Sequence, residues 1–118
     1  MHLTKILIVD DQATFRRALR LALALKGFEI REAANGADAI SLMGKEPPDL
    51  ILVDWLMPGM DGSGLCRAIR TRSDVPIIVI TSKPDVRSEA LAAGANDYLK
   101  KPFAVDELLI HIESALAN

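Results

Sequence analysis

Leu50-Ile51-Leu52-Val53-Asp54 is the stretch that decides how this sequence folds. It is a run of four apolar residues closed by an acid. A short run without polar alternation suits a strand buried on both faces, as in a parallel sheet covered by helices. Two other runs have the same form. Ile6-Leu7-Ile8-Val9 is followed by Asp10-Asp11, and Ile77-Ile78-Val79-Ile80 is followed by Thr81-Ser82. Two weaker segments read as edge strands: Phe28-Glu29-Ile30-Arg31 alternates, and Asp97-Tyr98-Leu99-Lys100 is short and partly polar.

Helical patterns fill the gaps. Phe15, Leu19, Ala22 and Leu23 fall on one helical face, as do Ala37, Ile40 and Met43 after an Asn35-Gly36 turn. Leu65, Ala68 and Ile69 mark a third helix after Gly62, and Val105, Leu108, Leu109, Ile112 and Leu116 mark a last one. Between them, Asp85 to Ala93 reads as a fourth helix, with Pro84 suited to its first turn and Gly94 to its C-terminal cap. It offers mostly alanine to a core, so weak anchoring and mobility are expected there. The order is β-α repeated five times. Right-handed crossovers make this an α/β doubly wound fold with a five-stranded parallel sheet. If the second and fifth strands are edges, the flavodoxin-like order 2-1-3-4-5 follows. Its ligand crevice lies at the carboxyl ends of the first and third strands.

The length of 118 residues fits one domain, residues 1–118. Half of the residues are hydrophobic and the formal charge is −2, which argues against direct binding of nucleic acid. A single cysteine, Cys66, excludes an internal disulfide and a cysteine-built zinc site. No apolar stretch approaches the ~20 residues of a membrane span, and the first ten residues lack a secretory signal pattern, so a cytoplasmic protein is expected.

The central strands end in chemically pointed residues: Asp10-Asp11, Asp54, Thr81-Ser82, and Lys100-Lys101 before Pro102. These groups converge above one edge of the sheet. Two like charges ~4 Å apart cost about 4 kcal/mol at an effective dielectric of 20, so three carboxylates there need a proton or a cation. An oxygen-only ligand set favours Mg²⁺, which leaves room for a phosphate oxygen. A lysine and a hydroxyl complete a pocket for in-line phosphoryl transfer to a carboxylate. Each residue alone has a blander reading. Asp10 and Asp11 taken alone are as well suited to capping the first helix. Thr81 suits a strand end, Tyr98 suits packing, and Asp61-Gly62 suits a turn. Trp55 reads as a half-exposed loop aromatic, Cys66 as an inert helix residue, His2 and His111 as structural or solvated, and Met43, Met57 and Met60 as filler or loop residues.

With these segments in this order, the whole chain resembles a response-regulator receiver domain of two-component signalling. It is similar in size to single-domain chemotaxis regulators. The resemblance is carried by Ile6 to Asp11, Asp54-Trp55-Leu56-Met57-Pro58-Gly59-Met60-Asp61-Gly62, Ile80-Thr81-Ser82, and Gly94 to Phe103. It implies that Asp54 accepts a phosphoryl group from a histidine kinase or histidine phosphotransfer protein. Mg²⁺ would be held by Asp11, Asp54 and the Leu56 carbonyl, with Asp10 acting through a metal-bound water. Thr81 and Lys101 would contact phosphoryl oxygens, Lys101 being the functional lysine because it precedes proline. Tyr98 would be the switch aromatic, and the Lys101-Pro102 peptide would be cis. Leu56 and Lys83 stand at positions that tune phosphate lifetime in the family. The family's frequent capping residue after Phe103 is here Ala104, which weakens the start of the last helix by ~1 kcal/mol if nothing replaces it.

The implied role is signalling rather than turnover. Phosphorylation would switch the surface formed by the fourth helix, fifth strand and fifth helix for an output partner or a homodimer. The alternatives are a receiver-like interaction module without phosphorylation and an aspartate-nucleophile phosphohydrolase. A flavin carrier on the same fold is disfavoured because Asp10-Asp11-Gln12 would repel an unaccompanied phosphate.

Overall fold

The computed structural model of the chain describes residues 3–59 and 61–117; His2 and Met60 lie outside them. Five strands and five helices alternate: β1 (Lys5–Val9), α1 (Ala13–Ala24), β2 (Glu29–Ala33), α2 (Gly36–Lys45), β3 (Leu50–Asp54), α3 (Gly62–Arg70), β4 (Ile77–Thr81), α4 (Arg87–Ala92), β5 (Asp97–Lys100) and α5 (Val105–Ala117). All strand pairs are parallel and the order is β2-β1-β3-β4-β5, as expected from the strand character.

The apolar runs sort cleanly between two layers because successive strand residues point to opposite faces. Leu7, Val9, Ile51, Val53, Ile77 and Val79 pack with Ala39 and Met43 of α2, Leu65, Cys66 and Ile69 of α3, and Ala90 of α4. Ile6, Ile8, Leu50, Leu52, Ile78 and Ile80 pack on the other side with Leu19 and Leu23 of α1 and Leu108 and Ile112 of α5. Helices on both faces leave no exposed face for alternation to mark, which is why the central strands read as continuous runs.

Several local expectations shift. The second strand starts at Glu29 rather than Phe28, because Gly27 takes φ +96° to leave α1 and Glu29 pairs with Lys5. Phe28 packs beside the α1–α5 layer instead. In α2 the Asn35 side chain caps the helix by accepting from the Asp38 N–H, so Gly36 is already helical. That phase buries Gly36, Ala39 and Met43 and leaves Ala37 exposed. The fourth helix is six residues long, and Pro84 and Asp85 lie outside it in a turn where Asp85 takes φ 60°. Gly94, at φ +112°, terminates that helical segment as expected. The start of α5 carries Asp106 and Glu107, whose charges favour a helix N-terminus and offset part of the missing cap at Ala104. His111 is structural: its Nδ1 lies 2.6 Å from Asp97 Oδ2, tying α5 to β5.

Candidate functional site

Strand ends deliver the predicted residues to one crevice. Asp10 and Asp54 are 2% and 7% exposed and Thr81 is fully buried; they are the buried polar residues among those described. One carboxylate oxygen each from Asp10, Asp11 and Asp54 lies within 4.8 Å of the others. The helix-capping reading of the first pair fails, because Gln12 occupies the cap position of α1 and no side chain caps it. Asp10 Oδ1 instead accepts the Gln12 N–H at 2.9 Å, which fixes the carboxylate at the strand end.

Strand alternation explains which lysine arrives. Leu99 packs in the α1–α5 layer, whereas Tyr98 packs in the other. Lys101 shares the phase of Leu99 and reaches the crevice, where its Nζ is 3.3 Å from Asp10 Oδ2. The same ammonium lies 4.0 Å from the centroid of the Phe15 ring, a cation–π contact. Lys100, in the opposite phase, is exposed. The Lys101-Pro102 peptide is cis, as the resemblance implied.

The Asp54 carboxyl is pushed up to about 6. Burial is the main cause and the Asp10 charge adds to it; Lys101 and the Leu56 N–H pull it down, and Asp11 raises it slightly. A hard divalent cation would relieve that repulsion, and the all-oxygen donor set suits Mg²⁺. The residues present therefore fit such an ion. Leu56 N–H donates to Asp54 Oδ1 at 3.2 Å, while the Leu56 side chain is half exposed.

On the other side of the crevice, Thr81 and Tyr98 are linked through one residue. The Lys83 N–H donates to Thr81 Oγ1 at 3.0 Å, and the Tyr98 hydroxyl donates to the Lys83 carbonyl at 3.3 Å.

Three features were missed or misjudged in the sequence. Trp55 is buried, at 6% exposure, rather than half exposed. It lies under the start of α3: the Gly62 N–H donates to the Trp55 carbonyl at 2.9 Å, and a Cβ at Gly62 would stand 2.7 Å from Trp55 Cα. Asp61 is more than a turn residue, since its side chain caps α3 by accepting from Gly64 N–H at 2.7 Å. Arg16 was not singled out; its Nη1 donates to the Asp10 carbonyl at 2.7 Å. Its place in the first turn of the helix after the acidic pair was the available signal. Cys66 is inert as expected, with burial pushing its thiol up to about 11 against the pull of Arg70 and Arg67.

The chain matches the family model of the response regulator receiver domain over residues 6–113. It is 43% identical to "Probable transcriptional regulator ycf27" of Porphyridium aerugineum over 118 residues, covering 98% of this chain and 49% of that protein. It is 41% identical to response regulator MprA of Mycolicibacterium vanbaalenii, covering 95% of this chain and 50% of that protein. The chain thus spans about half the length of these curated relatives. Among solved structures, a two-component response regulator from Clostridium difficile superposes with TM-score 0.93 at 32% identity, covering 98% of this chain and 97% of that one. Chemotaxis response regulator CheY4 of Vibrio cholerae gives 0.91 at 32% identity, covering 98% and 100%.

Proposed function

Because the chain belongs to the response regulator receiver family, we propose that residues 1–118 act as one phosphoacceptor unit in which Asp54 takes a phosphoryl group from a histidine kinase or histidine phosphotransfer protein. The observation that carries this reading is the convergence of Asp10, Asp11 and Asp54 beside Lys101, with the Asp54 carboxylate buried. A carboxylate oxygen of Asp54 forms the new O–P bond as the N–P bond of phosphohistidine breaks, and the bond's electron pair leaves on the imidazole nitrogen. Asp11, Asp54 and the Leu56 carbonyl would hold Mg²⁺, with Asp10 acting through a metal-bound water, and the ion would neutralise charge on the phosphoryl oxygens. Lys101 pairs with one of those oxygens and the Thr81 hydroxyl donates to another.

The protein works as a cytoplasmic switch and not as a turnover enzyme. Drawing Thr81 toward the phosphoryl group disturbs its bond from Lys83, and Lys83 is the residue whose carbonyl holds the Tyr98 hydroxyl. Reorientation of Tyr98 then changes the surface of α4, β5 and α5, which binds an output partner or a second copy. No helix among the described residues is long and apolar enough to cross a membrane.

Intact mass after incubation with acetyl phosphate tests the reading. One added phosphoryl group that requires Mg²⁺ and is absent from Asp54→Asn supports it. Absence of any adduct, even after rapid trapping, favours an interaction module without phosphorylation. Sustained turnover of varied phosphomonoesters favours a phosphohydrolase.

A further inference from the structure

We propose that Arg16 is a positioning residue for the Asp10-Asp11 pair, and through it for the cation; the inference rests on the metal-assisted reading above.

Asp10 is held at both of its backbone polar groups, and Arg16 holds the one that belongs to the peptide joining it to Asp11. The Asp10 N–H donates to the Ala33 carbonyl of β2 at 3.1 Å. The Asp10 carbonyl, one atom of the joining peptide itself, accepts from Arg16 Nη1 at 2.7 Å. Arg16 cannot drift from that position, because its Nε donates to Glu32 Oε1 at 2.8 Å. Glu32 is fixed in turn at its second oxygen, which accepts from Arg20 Nη1 at 2.8 Å. The Arg16 and Glu32 side chains are 11% and 15% exposed, so the pair is shielded from water in a way that a surface ion pair is not.

This arrangement has a consequence beyond stability. Asp11 is exposed, and its carboxylate oxygen lies within 4.8 Å of those of Asp10 and Asp54. Rotation of the Asp10–Asp11 peptide would move the Asp11 oxygen relative to Asp54, breaking the close grouping of the three carboxylates. The guanidinium also places a positive charge against the acidic end of β1. An ion pair serving only to hold α1 on β2 would not need a bond to this one peptide.

The test is Mg²⁺ binding by isothermal titration calorimetry, with thermal stability measured in parallel. Arg16→Met removes every donor and should weaken Mg²⁺ binding about tenfold or more, the usual scale when a group orienting a ligand is lost. Arg16→Lys keeps the charge and one donor and should fall between that variant and the native chain. Arg31→Met removes surface pairs to Glu29 and Glu46 and should bind as the native chain does. In reactions with acetyl phosphate, Arg16→Met should need about tenfold more Mg²⁺ than the native chain to reach half of its own maximal rate, which reads metal affinity apart from the chemical step. The proposal is overturned by a native dissociation constant in Arg16→Met. It is equally overturned if Ile112→Val, a core variant, weakens Mg²⁺ binding as much for the same loss of stability. If Arg16→Met does not fold, Arg16→Lys decides: a severalfold rise in its dissociation constant supports the role and a native value overturns it. A native chain that takes up no Mg²⁺ removes the metal-assisted reading itself, and this inference with it; a native chain that binds while Arg16→Met matches it removes the inference alone.

Discussion

Lys101 Nζ stands 3.3 Å from Asp10 Oδ2, and the two residues are 91 positions apart in the chain. The pair joins the first strand to the turn after the fifth, across β3, which carries Asp54, and β4, which carries Thr81. Before any phosphoryl group arrives, the ammonium already offsets one carboxylate and rests on the Phe15 ring. Phe103 meets Phe15 edge-on, with ring centroids 6.2 Å apart, so the lysine's seat is supported from the residue after the cis proline.

Lys101→Ala should leave Asp54 modifiable but break the link to the output surface. Two-dimensional amide NMR with beryllofluoride checks this. The native chain should show shifts through Thr81, Lys83 and residues 97–100, whereas the variant should shift only around residues 54–57. Native-like shifts through β5 in the variant would exclude the coupling role.

The buried Asp54 makes the metal-free protein sensitive to pH. Its folded value of about 6 lies above the ordinary 3.8, so the folded state holds this proton more tightly than the unfolded chain does. Stability therefore falls as pH rises from about 4 to 6, and the penalty is complete above that window. Two units correspond to roughly 3 kcal/mol, which water reaching the crevice reduces to about 1–3 kcal/mol. In EDTA at pH 7.5, Asp54→Asn should be more stable than the native chain by that amount in urea unfolding. The gap should close below pH 3.8 and shrink when Mg²⁺ is added. Equal stabilities at pH 7.5 would contradict the electrostatic account.

Gly62→Ala should cost about 1–3 kcal/mol, the scale of overpacking, because its Cβ would meet Trp55 backbone at 2.7 Å. Ala favours helix more than Gly, so propensity alone predicts the opposite sign. Denaturant unfolding decides between them, and the emission maximum of Trp55 should move as the indole is displaced.

Arg70→Ala should loosen the far end of α4 selectively. The guanidinium donates to the Gly94 carbonyl at 2.9 Å, the Val75 carbonyl at 2.7 Å and Asn96 Oδ1 at 2.8 Å. Asn96 Oδ1 also accepts the Ile77 N–H at 2.8 Å, so one side chain braces both β4 and the turn before β5. Loss of these bonds should cost about 2–4 kcal/mol. Hydrogen exchange should accelerate most at residues 94–97; uniform acceleration across the chain would contradict a local brace.

The central strands were legible because burial on both faces leaves an unbroken apolar run, a signal internal to the strand. The acidic site was legible because parallel strands deliver their carboxyl ends to one side, so Asp10, Asp11, Asp54 and Lys101 had to meet. Helix phases were read less well. The capping bond from Asp38 N–H to Asn35 set where α2 starts, and hence why Ala37 faces solvent. The strained turn at Asp85 shortened α4 below its apparent helical run.

By itself, then, the sequence determined the alternation of elements, the edge and central strands, and the chemistry gathered at the strand ends. Local periodicity and parallel topology carry those facts without reference to any particular distant contact. Only the tertiary structure decided that Trp55 is buried under Gly62, that Asp10 pairs with Lys101 as well as with the Gln12 N–H, and that Arg16 bridges Glu32 to the Asp10 carbonyl. These depend on side chains from separate elements meeting at a fixed register. Such a meeting leaves no periodic trace in the chain, because either residue alone would be equally at home on a solvated surface.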